Sequence, residues 1–368
     1  MSTPIPKSHK RVVAIAKRAP LELHTVPTKA PEANEVLVRV SYAASSPLNL
    51  HVADGNLLGG LPNVGWNGAF AGSVAALGPE TQTGLKIGDP VFGFTWRDNK
   101  EKSGQEYLTA PETMMGRIPD GADERAYATV PDSFVTAWHT LRTELGMKLP
   151  WPKPDGWKPR NVDTPVLVWG ASSSVGWFAL PLLKWAGYTN VVATAGMKHH
   201  ERLKQLGATK AFDYRDGDVV EKLRDAAGPP GFRYFVDCIG SLEGSVRPIA
   251  QIAGPGSTIA IMLPVIVRTA TETVEPIYSM DVKDPEIHVD WKDGSNPVGV
   301  RTHFYTKDEF AANNLQPVVM PALLQSGDIE PASYRIMEGK DMLERAEKAL
   351  SLFRSGAVSG ERLIWSTS

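Results

Sequence analysis

The sequence predicts an α/β protein of two domains, a doubly wound parallel sheet and a β-rich barrel. Three observations predict it. From Thr164 to Met262 short apolar runs alternate with helical stretches. From about Arg11 to Ala110 the chain carries instead β-branched runs punctuated by Gly and Pro. Between the two textures, a turn of small residues, Gly170-Ala171-Ser172-Ser173-Ser174-Val175-Gly176, joins a buried strand directly to a helix.

In chain order, Val12–Ala16, Val36–Val40, Ser73–Gly78 and Lys86–Phe94 read as strands of a compact, irregular barrel. Asp132–Leu145 reads as a helix. Leu149–Pro159 is so rich in proline that it cannot pair into a ladder, which predicts an exposed insertion. Pro165–Trp169 has the unbroken apolar run of a strand covered on both faces. Val175, Phe178, Leu182 and Trp185 recur at helical spacing over Val175–Ala186. Strands follow at Asn190–Thr194, Lys210–Tyr214, Arg233–Asp237 and Ser257–Met262, with a helix at His199–Leu206. Asp341–Phe353 places Leu343, Ala346, Leu350 and Phe353 on one helical face, and Arg362–Trp365 is a last strand. A helix and strand after a completed parallel sheet predict a return to the first domain. The expected division is therefore 1–131 with 316–368, and 132–315.

Composition narrows the function. The chain has 368 residues, 39 Lys plus Arg against 41 Asp plus Glu, and a net charge of −2, which offers no footprint for nucleic acid or an anionic membrane. A composition 42% hydrophobic and 22% charged is that of a folded globular protein. The one cysteine, Cys238, excludes an internal disulfide and any multi-cysteine zinc or iron–sulfur site. The opening MSTPIPKSHKRVVAIAKRAP lacks the apolar core of a signal peptide and reads as an ordinary tail leading into the fold. No window approaches the roughly 20 apolar residues of a membrane span. A cytoplasmic enzyme is expected.

The chemistry concentrates at the small-residue turn. Gly170, Ser172, Ser173, Ser174 and Val175 let backbone approach a pyrophosphate, and the following helix N-terminus attracts the anion. The turn departs from Gly-x-Gly-x-x-Gly, and a tight strand–helix turn without a ligand is the alternative; the βαβ series behind it favours a dinucleotide. An NAD site places Asp or Glu at the end of the second strand. Here that end reads Ala193-Thr194-Ala195-Gly196-Met197-Lys198-His199-His200, with Lys198 available to a 2′-phosphate or simply solvated. The expected cofactor is NADPH.

The β-rich first domain, Gly88-Asp89-Pro90-Val91, the Gly170–Gly176 turn and Phe212-Asp213-Tyr214-Arg215 together resemble the medium-chain dehydrogenase/reductase superfamily, in its quinone-oxidoreductase and enoyl-reductase branch. Val236-Asp237-Cys238-Ile239 and Arg354–Leu363 extend the likeness to the fungal stand-alone (trans-acting) enoyl reductases that serve polyketide synthases. The resemblance implies a Rossmann domain plus a GroES-like barrel. It implies cofactor contacts at Ser172, Ser173, Ser174 and Val175 (pyrophosphate), Gly196, Lys198 and His199 (adenosine phosphate), Tyr214 (adenine), Met262 and Leu263 (nicotinamide), and Gly360 and Glu361 from the returning tail. Zinc-dependent members carry Gly-His-Glu where this chain reads Asn67-Gly68-Ala69-Phe70-Ala71-Gly72, and their first cysteine ligand falls at Ser46. No metal is therefore expected; His51 and His139 are the only replacement ligands that suggest themselves.

Without a Lewis acid the resemblance implies hydride transfer from NADPH to the C=C of an α,β-unsaturated carbonyl or enoyl thioester. Segment Leu48-Asn49-Leu50-His51 is implied to face the nicotinamide. Asn49 and Thr136 are the candidate donors to the enolate oxygen, and His51 the candidate proton source or orienter, water being the alternative. The same three residue types also serve as helix cap, turn amide and packed imidazole. Relatives often carry Asp at position 49 and can carry Lys at 51, which leaves proton handling open. Trp66, Trp96, Trp138 and Trp291 are candidates for an aromatic pocket or for the core. The competing readings are an NADPH:quinone oxidoreductase, a non-catalytic NADPH-binding protein, and a zinc-dependent alcohol dehydrogenase. A synthase partner is compatible with the resemblance, as are a monomer and a homo-oligomer.

Overall fold

A computed structural model describes residues 4–368. The expected N-terminal tail begins with residues 1–3, which lie outside the described residues. The chain divides into two compact units: residues up to Asp132 with Ala270–Glu275 and Thr306–Ser368, and Ser133–Thr269 with Pro276–Tyr305.

The first unit opens with strands β1 (Ser8–Ala14), β2 (Glu22–Pro27) and β3 (Glu35–Ser45), then helix α1 (Pro47–Gly55). Strands β4 (Val64–Gly65), β5 (Ala69–Leu77), β6 (Pro90–Phe94), β7 (Tyr107–Pro111) and β8 (Met115–Arg117) follow, then helix α2 (Glu124–Tyr127). Helix α3 (Pro131–His139) carries the chain into the second unit.

The second unit alternates β9 (Val166–Trp169), α4 (Ser174–Trp185), β10 (Val191–Thr194), α5 (His200–Leu206), β11 (Lys210–Phe212), α6 (Val219–Ala227), β12 (Tyr234–Asp237), α7 (Arg247–Ile252) and β13 (Thr258–Met262). A hairpin, β14 (Val265–Arg268) and β15 (Ile277–Ser279), precedes β16 (Asn296–Val300). Six strands pair in the order β11-β10-β9-β12-β13-β16, all parallel. Trp169 stands level with Thr194 and with Asp237, so three strands end together at one edge of the sheet. One face packs Leu167, Phe235, Ile249 and Ile259. Elsewhere in the unit, the Phe134 and Phe178 rings meet edge-on at 6.2 Å.

The Leu149–Pro159 segment forms no ladder, as expected, and is exposed at residues 152, 154–156 and 158, but it is anchored to the unit at its ends and through its aromatic rings. Leu149 is fully buried, and the Trp151 ring lies 6.2 Å from that of Trp185, over which Lys153 also sits. The prolines that bar pairing coexist with aromatic rings that demand cover.

Helices α8 (Glu309–Asn314), α9 (Met320–Gln325) and α10 (Met342–Arg354), with strands β17 (Tyr334–Ile336) and β18 (Arg362–Ser366), complete the first unit. Its main sheet runs β17-β18-β3-β5-β6-β8, with β7 also on β3, beside the three-stranded β2-β1-β4. β18 is thus an interior strand whose Trp365 is buried with Val12, Ala43, Trp66 and Leu350. The return starts at Thr306, ten residues before the expected 316, and includes α8. Ala270–Glu275 also belongs here, because Ala270 is buried in that same core. Arg18 then clamps the segment, donating to the carbonyls of Thr271 (2.9 Å), Glu272 (2.8 Å) and Val274 (2.9 Å). Among the described residues no helix is long and apolar enough to cross a membrane.

Candidate functional site

At the Gly170–Gly176 turn, glycine is required twice. Gly170 has φ +72°, and a Cβ there would meet Ile239 Cγ1 at 2.4 Å. A Cβ on Gly176 would meet Ala171 Cα and O at 2.5 Å, so α4 starts in direct contact with the end of β9. Gly170 N donates to Thr194 Oγ1 at 3.1 Å, and Ala171 N to Thr194 O at 2.9 Å, which ties the turn to β10. Ser173 caps α4, its Oγ accepting from Gly176 N at 3.2 Å. Ser172, Ser174 and Val175 stay half-exposed around the first turn, whose amides point out of the helix. The cradle fits a dinucleotide pyrophosphate: a twelve-residue helix supplies the dipole, and two missing side chains supply the clearance.

Beyond β10, Gly196 leads into a single helical turn, Met197–His199, that carries Lys198 and His199. Burial and the neighbouring Lys198 and His200 charges lower the His199 pKa. The loop is pinned from the next strand, by residues that spacing alone did not single out. Asp213 accepts from Met197 N (3.1 Å), Arg215 N (3.0 Å) and Arg215 Nε (2.8 Å), and pairs with Arg215 Nη2 at 2.5 Å. The Arg215 hydrogen bond holds the Asp213 carboxyl well below the usual carboxylate range. A Cβ on Gly196 would lie 3.3 Å from Arg215 Nη2, so that guanidinium rests over the end of β10. Tyr214, 47% exposed, has its ring 5.7 Å from the same guanidinium. The one signal in the sequence was the acid–base pair two residues apart just after β11.

The ends of β12 and β13 are built by the same means. Asp237, fully buried, accepts from Ile239 N (2.9 Å), Gly240 N (3.1 Å) and Ser245 Oγ (2.7 Å). Its burial raises the carboxyl pKa to about 6. The turn it holds lays Ile239, 40% exposed, over Gly170. Met262 and Leu263 follow β13: Gly240 approaches the Met262 carbonyl, and Leu263 packs on Gly299. Thr136 Oγ1, in the second unit, lies 2.9 Å from Thr302 Oγ1.

In the first unit, Asn49 and His51 are buried on α1. Asn49 Oδ1 accepts from Ser46 N at 2.9 Å, so its carboxamide oxygen closes the start of the helix. Burial lowers the His51 pKa to about 4, against a smaller opposing pull from Asp54. The imidazole is therefore neutral near pH 7 and acts as a hydrogen-bonding group rather than a cationic acid. Below pH 6.5 the unfolded chain takes up this proton first, so stability is lost as pH falls from 6.5 towards 4, by up to about 3 kcal/mol. Urea unfolding across that range is expected to show a shallower loss for His51→Gln than for the parent.

Gly360 and Glu361 precede β18, with Glu361 ion-paired to Arg335. Trp66 and Trp138 are 1% exposed and belong to cores, Trp96 stacks on Phe94 at 4.8 Å, and Trp291 packs against the second unit's core, its Nε1 donating to the Val282 carbonyl at 3.1 Å. Among the described residues no three His, Cys, Asp or Glu side chains converge as metal ligands.

Residues 174–262 match the zinc-binding dehydrogenase family, and residues 32–140 match the alcohol dehydrogenase GroES-like domain. A trans-enoyl reductase of Aspergillus terreus is 34% identical over 254 residues, covering 65% of this chain and 77% of the relative. The chain belongs to the medium-chain dehydrogenase/reductase superfamily. It is an oxidoreductase, and this superfamily implies a nicotinamide cofactor. Another medium-chain reductase, a trans-enoyl reductase of Aspergillus japonicus, is 27% identical over 343 residues, 90% of this chain and 89% of its own. The fold is shared with the CurK enoyl reductase, with a TM-score of 0.75 at 14% identity over 97% of this chain and 99% of that one. The zinc-binding dehydrogenase match lies within the second unit, and the GroES-like match lies in the first apart from its last residues, 133–140.

Proposed function

We propose that the protein is an NADPH-dependent reductase of the C=C in a small α,β-unsaturated carbonyl or enoyl thioester, working without a metal. The similarity to trans-enoyl reductases across nearly the whole chain carries the reaction class. Cofactor choice rests on the end of β10, where Lys198 is exposed and the nearby Asp213 carboxylate is committed to other groups.

Bound there, the reduced nicotinamide supplies a hydride to the β-carbon. The residues proposed to hold the dinucleotide are Gly170, Ser172, Ser173, Ser174 and Val175 at the pyrophosphate, and Gly196, Lys198, His199 and Tyr214 at the adenosine. Met262, Leu263, Gly360 and Glu361 complete the set. Asn49, His51 and Thr136 are the proposed donors to the carbonyl oxygen as it takes up enolate charge. Asn49 can offer its amide N–H because its oxygen is already engaged by Ser46. His51, neutral at assay pH, donates a hydrogen bond but no proton, so water protonates the α-carbon. A cytoplasmic protein receiving a thioester from a synthase is the setting that fits this reading.

NADPH consumption with cyclohexenone, a crotonyl thioester and benzoquinone tests it. The expected result is a saturated ketone or acyl thioester as the product of the fastest reaction. Benzoquinone as the only substrate consumed would instead mark a quinone reductase. Tight binding with no turnover on any acceptor would mark a non-catalytic binding protein.

A further inference from the structure

We propose that Arg215, rather than Lys198, is the principal determinant of NADPH over NADH, and that Asp213 is the residue that positions it; this rests on the cofactor reading above. In a doubly wound sheet the adenosine ribose meets the end of the second strand, here β10. Arg215 is the side chain that occupies that place: its Nη2 lies 3.3 Å from where a Cβ on Gly196 would be. It reaches there from the following strand because Asp213 takes its Nε at 2.8 Å and its Nη2 at 2.5 Å.

The same carboxylate accepts from Met197 N, so one buried group fixes both the guanidinium and the loop beneath it. Four donors fill the acceptor positions of Asp213, whose side chain is only 7% exposed. It therefore has nothing to offer a ribose 2′-hydroxyl, although an acid in this neighbourhood is what an NAD site uses. Arg215, 63% exposed at its side chain, keeps the outer edge of its planar fork for a phosphate. Lys198 is a different case. It is exposed on the Met197–His199 turn, and none of the described hydrogen bonds or ion pairs holds it, so ordering it on a phosphate costs rotamer entropy. Arg215 is already in place.

The experiment titrates the whole protein with NADPH, NADH, 2′,5′-ADP and 5′-AMP, following tryptophan fluorescence. Arg215→Ala is expected to weaken NADPH and 2′,5′-ADP roughly 10- to 100-fold, the range of a lost charge-assisted hydrogen-bond pair, with NADH and AMP within about threefold of the parent. Lys198→Ala is expected to cost less than Arg215→Ala, and Arg215→Lys to recover part of the loss. Gly196→Ala, which crowds Nη2 without touching the charge, is expected to weaken NADPH selectively. Asp213→Asn is expected to lower the NADPH:NADH affinity ratio while Arg215 remains. The proposal is overturned if Arg215→Ala leaves that ratio within about threefold of the parent, or if Lys198→Ala lowers it more. Should Arg215→Ala fail to fold, Arg215→Lys and Gly196→Ala decide by the same ratio. A parent protein that binds NADH as tightly as NADPH would remove the cofactor reading itself, a result seen before any variant is made.

Discussion

Replacing Gly176 by valine is expected to abolish dinucleotide binding and to destabilise the second unit by more than about 3 kcal/mol, beyond the usual cost of overpacking a core. The atoms that a Cβ would meet are Ala171 Cα and O at 2.5 Å and Ala171 C at 2.7 Å. All three are backbone, so relief demands that α4 withdraw from β9 and displace its first-turn amides from the proposed pyrophosphate cradle. Gly217→Ala is the control: nothing lies within 4 Å of its Cβ, and its effect is expected to stay within about 0.5 kcal/mol. Thermal melts with and without NADPH would check both. A Gly176→Val protein that still gains stability on adding NADPH would contradict the assignment of this turn.

Asp54→Ala is expected to cost roughly 3–5 kcal/mol in the first unit, the penalty for stranding a buried charge. The Asp54 carboxylate is fully buried and serves two arginines: Arg18 Nη1 at 3.2 Å, and Arg354 through Nε at 3.0 Å and Nη2 at 2.7 Å. Both guanidiniums are largely covered, so neither recovers full hydration when the acid is removed. Since Arg18 also holds the carbonyls of Thr271, Glu272 and Val274, its loosening should release that segment. Hydrogen exchange is expected to report lost protection at 270–275 and at the end of α10. A stability change below about 1 kcal/mol would mean that the cluster is better solvated than its burial implies.

The parallel sheet was readable because each of its strands is a short apolar run bounded by turn residues. The Gly170–Gly176 turn was readable because a tight strand-to-helix junction needs small residues in direct sequence. Features built by packing between distant segments were not. Nothing in the spacing from Gly196 to Arg215 tells that the tail of β11 folds back over the end of β10. The buried Asp213 that holds this fold-back is invisible for the same reason. The prolines of Leu149–Pro159 predict an exposed insertion, and its middle is exposed, but the burial of Leu149 and the contact between Trp151 and Trp185 depend on packing that only tertiary structure brings together. Ala270–Glu275 lies within the span 132–315 expected for the sheet domain; a single buried alanine and an arginine clamp draw it to the other unit.

The interior place of β18 constrains how the molecule is made. Ladder partners for Tyr42–Ser45 of β3 lie more than three hundred residues downstream, at Leu363–Ser366. On the ribosome, the barrel must therefore wait with part of that edge open while the parallel sheet, nearly contiguous in sequence, is completed and emerges first. A nascent chain stalled before residue 362 should hold a folded sheet unit beside a barrel that proteases still cut.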